Sequence, residues 1–331
     1  MPNDGEDFVA KTVMTVTGPI DVNDLGFTLM HEHVFLDLMR DAWIFDNILN
    51  DMELADVELH RFAASGGSTL VDLTSGGLRG HDKHLLYDED LNHVAHAEAM
   101  RCASETSGIN IVLGAGWYHE SYYPKRLWKM ATNDLAEEII NEIEVGIDGT
   151  SVRAGHIGEI GARYNWLSAI EERVLRASAR AQVKTGLGLT THSTAGIGGL
   201  EQLDVLEQEG VDLRRVTVAH SGLFPRTEYH EAIARRGASV SFDRMGDLPA
   251  MSEFHRNRLL SHLRTLVDRG HIEQVVLSHD VCYKKDLFAN GGSGYDWLAS
   301  YGRDILERDL GLVDEQWNTI MVENPKRLLA E

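Results

Sequence analysis

Six side chains that can bind metal stand at the ends of apolar segments in this chain of 331 residues. The segments are rich in Val, Ile, Leu and Thr. Imidazole and carboxylate groups are ligands for zinc, manganese, iron or cobalt. Six ligands exceed what one ion needs, so the set predicts two divalent ions that share a bridging carboxylate and a hydroxide. The candidate ligands are His31, His33, Glu159, His192, His220 and Asp280.

The first two candidates have the spacing of one strand face. Side chains alternate along a strand, so His31 and His33 point the same way and Glu32 points the other way. Taken singly, each candidate has an ordinary alternative role; Asp280, for example, could cap a helix. Because charged side chains are rarely buried unless they are paired or bound to metal, the convergence of all six favours a metal centre. The other histidines are interpreted as ordinary, and His156 is expected to pack or hydrogen-bond inside the barrel.

Eight short apolar segments alternate with stretches of helical periodicity, which is typical of βαβ units and a parallel sheet. Eight such units favour a closed (β/α)8 barrel, the TIM barrel, which gathers functional groups at the C-terminal ends of its strands. We therefore expect a single domain over 1–331, in which residues 1–24 form an extension and a short strand or hairpin over 14–19 caps the barrel floor. The predicted strands are 25–35, 68–74, 110–117, 152–160, 187–192, 215–220, 238–242 and 274–280.

Helical patterns fill the spaces between these strands. Ser168 and Glu171 form a capping box, because the serine can accept from the third backbone N–H while the glutamate reaches back to the cap. The helix that they begin is expected to end at Gly186, since glycine favours the left-handed position after a helix. The other predicted helices are 51–64, 88–105, 133–145, 199–209, 227–236 and 252–269.

The composition excludes several classes of partner. With 31 Lys+Arg and 52 Asp+Glu, the formal net charge is −21 at pH 7. Such a charge argues against binding to nucleic acid or to an anionic membrane, and favours a small-molecule substrate. The 2 cysteines cannot build a disulfide framework or a thiolate zinc cluster. The first residues have no basic and apolar leader pattern, and no apolar run is long enough to cross a membrane, so we expect a cytoplasmic protein.

Taken in order, the candidate ligands resemble those of the phosphotriesterase-related branch of the amidohydrolase superfamily. Three flanking motifs agree: Thr-Leu-Met-His-Glu-His at 28–33, Ala-Gly-His-Ile-Gly-Glu at 154–159, and Glu-Asn-Pro-Lys-Arg-Leu-Leu at 323–329. The resemblance covers nearly the whole chain. It implies a (β/α)8 barrel with a binuclear centre, with zinc as the expected ion and manganese, iron or cobalt as alternatives, and it implies a homodimer.

The resemblance also divides the ligands between the two ions. One ion would be held by His31, His33 and Asp280, and the other by His192 and His220. Many relatives bridge the two metals through a carboxylated lysine on strand four, but residues 152–165 contain no lysine. Glu159 is the only acid in that window, and some relatives use glutamate there. We therefore expect Glu159 to be the bridge, with no need for carbon dioxide.

Two residues of the substrate pocket are implied in the same way. An aromatic residue after strand three and an arginine after strand seven line the pocket in the family, which here indicates Tyr118 and Arg244 as substrate-binding residues. Each has an alternative, since Tyr118 could pack the barrel rim and Arg244 could pair with Asp243 or another acid.

The predicted reaction is hydrolysis. Two divalent ions lower the pKa of a shared water, so that hydroxide exists near neutral pH and can attack the carbonyl of a carboxylic ester or lactone. Asp280 is the predicted catalytic residue, which takes the proton and passes it to the leaving group. The alternatives are an N-acyl amide hydrolase or phosphotriesterase with the same centre, a non-catalytic metal-binding barrel, and a metal-free barrel that binds phosphate. Asp280 favours an enzyme, because a binding module needs no carboxylate beside the hydroxide.

Overall fold

A hairpin and a sheet of eight parallel strands form the framework of the chain. The structure, a computed structural model, describes residues 11–42, 44–80, 85–88 and 90–330. Its strands are β1 (Thr12–Thr15), β2 (Gly18–Asp21), β3 (Thr28–Glu32), β4 (Leu36–Asp37), β5 (Ile48–Leu49), β6 (Thr69–Asp72), β7 (Leu86–Tyr87), β8 (His93–Val94), β9 (Asn110–Ala115), β10 (His156–Ala162), β11 (Leu189–Ser193), β12 (Val216–Val218), β13 (Ser239–Phe242) and β14 (Val275–Leu277).

Eight of these strands form the barrel, which confirms the predicted fold class. Their order across the sheet is β3, β6, β9, β10, β11, β12, β13 and β14, and the paired neighbours run parallel. The two terminal strands of this order contact each other, so the sheet curves back on itself. Each observed strand overlaps one predicted segment and is shorter, because residues at the segment ends leave the hydrogen-bonded ladder.

The seam between β3 and β14 is closed largely by side chains. The backbone N–H of His31 donates to the Ser278 hydroxyl at 3.0 Å, and that of Asp280 donates to the His31 carbonyl oxygen at 3.1 Å. The fully buried carboxylate of Glu32 accepts from the Ser278 hydroxyl at 2.8 Å and from the His279 backbone at 2.7 Å. Strand alternation thus assigns Glu32 to barrel closure and its two histidine neighbours to the mouth.

The predicted N-terminal hairpin is present, over 12–21 rather than 14–19. Strands β1 and β2 pair antiparallel. The Val16 N–H donates to the Ile111 carbonyl oxygen at 2.9 Å, near the start of β9. Val13 packs into an apolar cluster that includes Val112 and Leu328. The hairpin therefore lies against the N-terminal end of the barrel, opposite the strand ends that carry the candidate ligands.

Helices follow the barrel strands in chain order. None of the helices in the described ranges is both long and apolar enough to span a membrane. The seven helices between residues 52 and 268 correspond to the seven predicted ones, whereas the short helix at 39–42 and the three after residue 300 carry no prediction. The helices are α1 (Met39–Ala42), α2 (Met52–Ala64), α3 (His96–Ser107), α4 (Thr132–Glu144), α5 (Ala169–Thr185), α6 (Gly199–Gln208), α7 (Thr227–Arg235), α8 (Glu253–Asp268), α9 (Tyr301–Leu310), α10 (Asp314–Asn318) and α11 (Asn324–Leu329).

Two helix termini show where local signals succeed and fail. At α5 the capping box forms as predicted: the Glu171 N–H donates to the Ser168 hydroxyl at 3.4 Å, and the Ser168 N–H donates to the Glu171 carboxylate at 3.0 Å. The prediction that α3 begins at residue 88 is wrong. Asp88 instead accepts from the backbone N–H of Asn92 at 2.8 Å and forms the turn between β7 and β8. Aspartate favours such turns over helix interiors, so the helix begins eight residues later, at His96.

His156 packs in the barrel core, as the sequence predicts. It is fully buried, with Nε2 2.8 Å from the Thr190 hydroxyl. Burial, with the nearby positive charges of Arg215 and His31, lowers the pKa of His156 to about 3. The native ring therefore stays neutral at pH values where the unfolded ring, with a pKa of about 6.5, takes a proton.

This shift predicts acid-sensitive stability. The contribution of His156 is fully present above about pH 6.5 and is lost as the pH falls towards 3, because only the unfolded state gains the proton. In metal-free protein, we expect His156→Gln to reduce the loss of unfolding free energy between pH 7 and pH 5 by about 2 kcal/mol. Urea unfolding at the two pH values measures this, with exposed His60→Gln as control. An equal pH-dependent loss in His156→Gln and wild type would contradict the prediction.

Candidate metal centre

The structure brings the six predicted ligands together at the mouth of the barrel. All are buried, and their ligand atoms form three groups, within each of which the atoms lie no more than 4.8 Å apart. The groups are His31, His33 and Glu159; Glu159, His192 and His220; and His31, His220 and Asp280. A carboxylate shared by two pairs of histidines is the arrangement that a bridging Glu159 requires.

Two buried atoms at the centre of this cluster have no hydrogen-bond partner among the described residues. They are Nε2 of His31 and Oε2 of Glu159, and they lie 3.0 Å apart. Nδ1 of His31 lies 3.2 Å from the Asp243 carboxylate, so in the neutral ring Nδ1 carries the proton and Nε2 carries a lone pair. A lone pair that faces a carboxylate oxygen is unfavourable unless a cation or a proton lies between them.

The electrostatics of His31 lead to the same conclusion. Burial alone would lower the pKa of His31, but the carboxylates of Glu159 and Asp280 raise it well above its ordinary value. The cluster therefore favours a positive charge at this position, and a divalent cation supplies one in place of the proton. The donor set and its two unpartnered atoms fit a metal ion.

Each candidate histidine presents one ring nitrogen to the cluster and the other to a group that orients the ring. For His33 that group is the Thr74 hydroxyl, 2.9 Å from Nδ1. For His192 it is the Tyr118 hydroxyl, 3.1 Å from Nε2, while Nδ1 lies 3.2 Å from Glu159. Histidines that bind metal typically have such an outer partner, which fixes the ring orientation.

Asp243 is a functional residue that the sequence interpretation missed. One carboxylate oxygen lies 3.0 Å from Nδ1 of His220, and the other accepts from the His220 backbone at 2.7 Å and lies 3.2 Å from Nδ1 of His31. Asp243 is 1% exposed and so orients one predicted ligand of each ion. Of the two alternatives for Arg244, pairing with another acid is the one observed: it pairs with Asp247 and Asp280, whereas these histidines take up the Asp243 carboxylate. The place of Asp243 directly after β13, the seventh strand of the barrel, was the signal available in the sequence.

This geometry predicts that Asp243 supports the affinity for metal. Asp243→Asn keeps the size of the side chain and removes the charge that favours a proton on Nδ1 of His31 and His220. Because outer partners of this kind contribute about 10- to 100-fold to metal affinity, we expect a loss of that size. Competition with a chelator measures it, and Asp204→Asn, at a surface aspartate paired with Arg236, is the control. Wild-type metal affinity in Asp243→Asn would contradict the assignment.

Two predicted ligands adopt a backbone conformation that is rare outside glycine. His220 has a φ of 57° and Asp280 a φ of 51°, and each follows the end of its strand by two or three residues. Residues held in the left-handed region are strained and need support from their surroundings. The support is visible here, since the His220 N–H is held by Asp243 at 2.7 Å and the Asp280 N–H by the His31 carbonyl oxygen at 3.1 Å.

Asp280 is held in its ionised form. Arg244 donates from Nη1 to the Asp280 carboxylate at 3.2 Å and to its carbonyl oxygen at 2.8 Å, and from Nε to Asp247 at 2.8 Å. Burial alone would raise the pKa of Asp280, but His31, His33 and Arg244 lower it to about 2. The carboxylate is therefore ionised at neutral pH, as a proton acceptor must be.

A cavity of about 450 Å³ opens above the cluster, which is within the range of small-molecule sites. Tyr118 and Arg244, the two predicted pocket residues, both line it. His119 and Cys282 line it as well, and the sequence interpretation assigned neither of them to the pocket. Burial, with the nearby charges of His192 and an arginine, lowers the pKa of His119 to about 3, so this ring is neutral.

A larger cavity of about 770 Å³ lies beside the loops that follow β6 and β9. Most of its charged residues are paired with one another: Arg79 pairs with Glu142 at 2.9 Å and with Asp148 at 3.4 Å, and Arg126 pairs with Glu138. The smaller cavity is the better candidate for the functional site, because a converging set of buried titratable groups is a stronger indicator of function than volume.

A (β/α)8 barrel whose strand ends gather four buried histidines and two carboxylates belongs to the class of metal-dependent hydrolases. The chain belongs to the phosphotriesterase family, whose model matches residues 11–329.

Similar proteins agree on the family, and two of the three described here are named as hydrolases. A phosphotriesterase homology protein of Escherichia coli is 32% identical over 302 residues, covering 91% of this chain and 97% of that protein. An N-acetyltaurine hydrolase of Dictyostelium discoideum is 29% identical over 384 residues, covering 96% and 97%. The crystal structure of a lactonase from Listeria monocytogenes has a TM-score of 0.83 and 26% identity, covering 96% and 98%. The protein is thus a hydrolase of this family, and these relatives differ in the bond that they cleave.

Proposed function

We propose that this protein hydrolyses a small carboxylic ester or lactone with a centre of two divalent ions, zinc being the expected metal. His31, His33 and Asp280 would hold one ion, His192 and His220 the other, and Glu159 would bridge them. The observation that carries the proposal is the ionised Asp280 beside a buried cluster whose central atoms need a cation. The likeness to the lactonase supports the choice of bond.

In the proposed reaction, Asp280 transfers the proton and Arg244 positions Asp280. When bound, the ions supply Lewis acidity, which lowers the pKa of water and polarises a substrate carbonyl. Asp280 Oδ1 lies 3.5 Å from Nε2 of His33 and 3.7 Å from Nε2 of His31, so it can accept the proton of the attacking water within the cluster. Arg244 holds the other carboxylate oxygen, and Asp280 then donates the proton to the leaving group.

An N-acyl amide is the second candidate substrate. The N-acetyltaurine hydrolases among the relatives support it, and the same machinery acts on either bond. The amide nitrogen is a poorer leaving group than an alkoxide, so proton donation by Asp280 would matter more for an amide than for an ester.

One panel of assays tests the proposal. Metal-replete protein is given lactones, aryl esters, N-acyl amides and phosphotriesters, and its metal content per chain is measured in parallel. We expect two ions per chain and the highest kcat/KM for a lactone or ester. A higher value for an amide would shift the proposal to the second candidate. No bound metal, or no hydrolysis of any class by the metal-replete protein, would overturn it.

A further inference from the structure

The cavity above the candidate centre contains an arginine that forms no ion pair within the described part of the protein. Two arginines line this cavity. Arg244 is bound to Asp247 and Asp280, as shown above. Arg163 occupies the exposed position directly after β10, and no carboxylate of the described residues lies within 4.0 Å of its guanidinium nitrogens.

The backbone of Arg163 is anchored on both sides. Its N–H donates to the Glu171 carboxylate at 2.9 Å, and its carbonyl oxygen accepts from the Thr194 hydroxyl at 2.7 Å. Glu171 is fully buried, and Thr194 lies two residues beyond the candidate ligand His192. The backbone of Arg163 is therefore fixed relative to the barrel strands that carry the candidate metal ligands.

The side chain is held by contacts that are not ion pairs. Nη1 donates to the Ser121 hydroxyl, and the guanidinium carbon lies 5.6 Å from the centre of the Tyr164 ring. Tyr164 in turn stacks on Trp166, with ring centres 5.4 Å apart and planes 11° from parallel. A guanidinium has five N–H donors, so most of them remain for a ligand in the cavity.

The centre itself does not oppose an anion. Three carboxylates contact the candidate histidines: Glu159, Asp243 and Asp280. Two bound divalent ions carry four positive charges, which balance these three negative charges together with that of the shared hydroxide. A substrate whose reacting carbonyl lies at the ions is therefore not repelled by the centre if it also carries a negative charge.

The apolar part of the remaining wall strengthens the attraction of an anion to Arg163. The one further acid in the lining, Asp41, has Oδ1 3.9 Å from Nε2 of His119 and also interacts with the charge of Arg163, which it offsets in part without forming an ion pair with it. Buried leucines, Leu36, Leu38 and Leu78, form an apolar part of the wall. Low-dielectric walls focus the field of a charge into a cleft, so that Arg163 acts over the cavity more strongly than a surface arginine in open solvent.

We infer that Arg163 binds an oxyanion group of the substrate, such as a carboxylate, at the mouth of the cavity. The substrate class is then an ester or amide that carries this group apart from the bond that is cleaved. A guanidinium matches the planar geometry of a carboxylate and forms paired hydrogen bonds with it. This inference rests on the proposed hydrolase function and adds the charge of the substrate to it.

A matched pair of esters tests the inference. The first is the 4-nitrophenyl monoester of adipic acid, which carries a carboxylate too far along the chain to attack its own ester readily, and the second is its methyl-capped neutral form. Release of nitrophenolate by metal-replete protein gives kcat/KM for each. We expect wild type to prefer the anionic ester at least tenfold, Arg163→Gln to lose this preference mainly through a higher KM, and Arg163→Lys to keep part of it.

Arg258→Gln is the matched control. The Arg258 guanidinium also lies 5.6 Å from an aromatic ring, that of Phe254, but on α8 and outside the cavity lining. This control removes the same charge from the protein and should keep the wild-type preference for the anionic ester. Equal kcat/KM for the two esters in wild type, or the same preference in Arg163→Gln as in wild type, would overturn the inference.

A binding measurement separates this inference from the proposed function. Calorimetric titration with N-acetylglycine and with neutral N-acetylglycinamide requires no turnover. Tighter binding of the anion in wild type and its loss in Arg163→Gln would support the anion site even if neither ester is hydrolysed, and only the proposed reaction would then fail. Equal affinity for both compounds in wild type, or undiminished binding of N-acetylglycine in Arg163→Gln, would overturn the anion site while leaving hydrolysis unaffected.

Discussion

Replacing Asp280 with asparagine is expected to lower kcat by about 10²- to 10⁴-fold, the range over which a positioned acid–base group contributes. The amide has the size of the carboxylate but cannot accept the proton of the attacking water. Wild-type Asp280 can, because its pKa is lowered to about 2 and it is ionised at neutral pH. At least one metal ion should stay bound, since the other predicted ligands are unchanged. Steady-state kinetics on the best substrate of the panel, with metal analysis, measures both effects.

Asp296→Asn provides a matched control for this variant. Asp296 and Asp280 are both 7% exposed, and each is paired with an arginine; for Asp296 this is Arg61, at 2.8 Å. We expect near wild-type turnover in the control. Near-normal turnover in Asp280→Asn would refute the proton-transfer role. Loss of both metal ions would instead show that Asp280 acts mainly as a ligand.

Replacing Glu159 with glutamine is expected to remove binding of at least one ion and to abolish turnover. Oε2 of Glu159 lies 3.0 Å from Nε2 of His31, 3.2 Å from Nδ1 of His192 and 3.9 Å from Nε2 of His220. A neutral amide cannot offset the charge of two cations in this buried place. The effect should exceed the roughly 100-fold upper range seen for outer partners of metal ligands. Metal content per chain and chelator competition are the measurements.

Glu58→Gln is the control for a buried glutamate away from the centre. Glu58 is 1% exposed and accepts from the backbone of Phe288 and Ala289, so its variant should retain the wild-type metal content. Two ions bound to Glu159→Gln with wild-type affinity would contradict the bridging role.

The bridge also predicts how the centre assembles. Glu159 carries its own negative charge, and residues 152–165 contain no lysine that carbon dioxide could modify. Reconstitution of metal-free protein should therefore proceed equally well with and without bicarbonate. A strict requirement for bicarbonate would show that another group bridges the ions.

Much of the fold follows from local patterns in the sequence. Short apolar segments, separated by stretches of helical periodicity, indicate all eight barrel strands. The capping box of Ser168 and Glu171 marks the start of α5, because both partners lie within one helical turn. The same kind of pattern misplaces the start of α3. The helical periodicity of the sequence extends back to residue 88. In the structure, however, the hydrogen bond between Asp88 and Asn92 stabilises the turn of the hairpin formed by β7 and β8. Competing local hydrogen bonds decide such boundaries.

The supporting residues of the site could not be predicted in the same way. Asp243 contacts histidines 23 and 212 positions away in the chain, so no local pattern connects them. Arg244 is a similar case. Its position after β13, the seventh strand of the barrel, can be predicted from the sequence, but its pairing with Asp247 and Asp280 depends on how two loops pack together. Arg163 belongs to no motif that the sequence analysis recognised, and its lack of an ion pair with a described carboxylate is apparent only when its neighbours in space are known.

The sequence by itself determines which ligand types stand at which strand ends, because strand alternation and the parallel barrel place them at one mouth. It also supplies a glutamate, and no lysine, at the position of the proposed bridge, and it places His31 and Glu32 on opposite faces of their strand. Tertiary structure alone decides which ring nitrogen faces the cluster, which neighbouring group orients each ring and which arginine of the cavity forms no ion pair with a described residue. The physical reason is that charges and hydrogen bonds act between groups close in space, and closure of the barrel brings together residues that the chain keeps far apart.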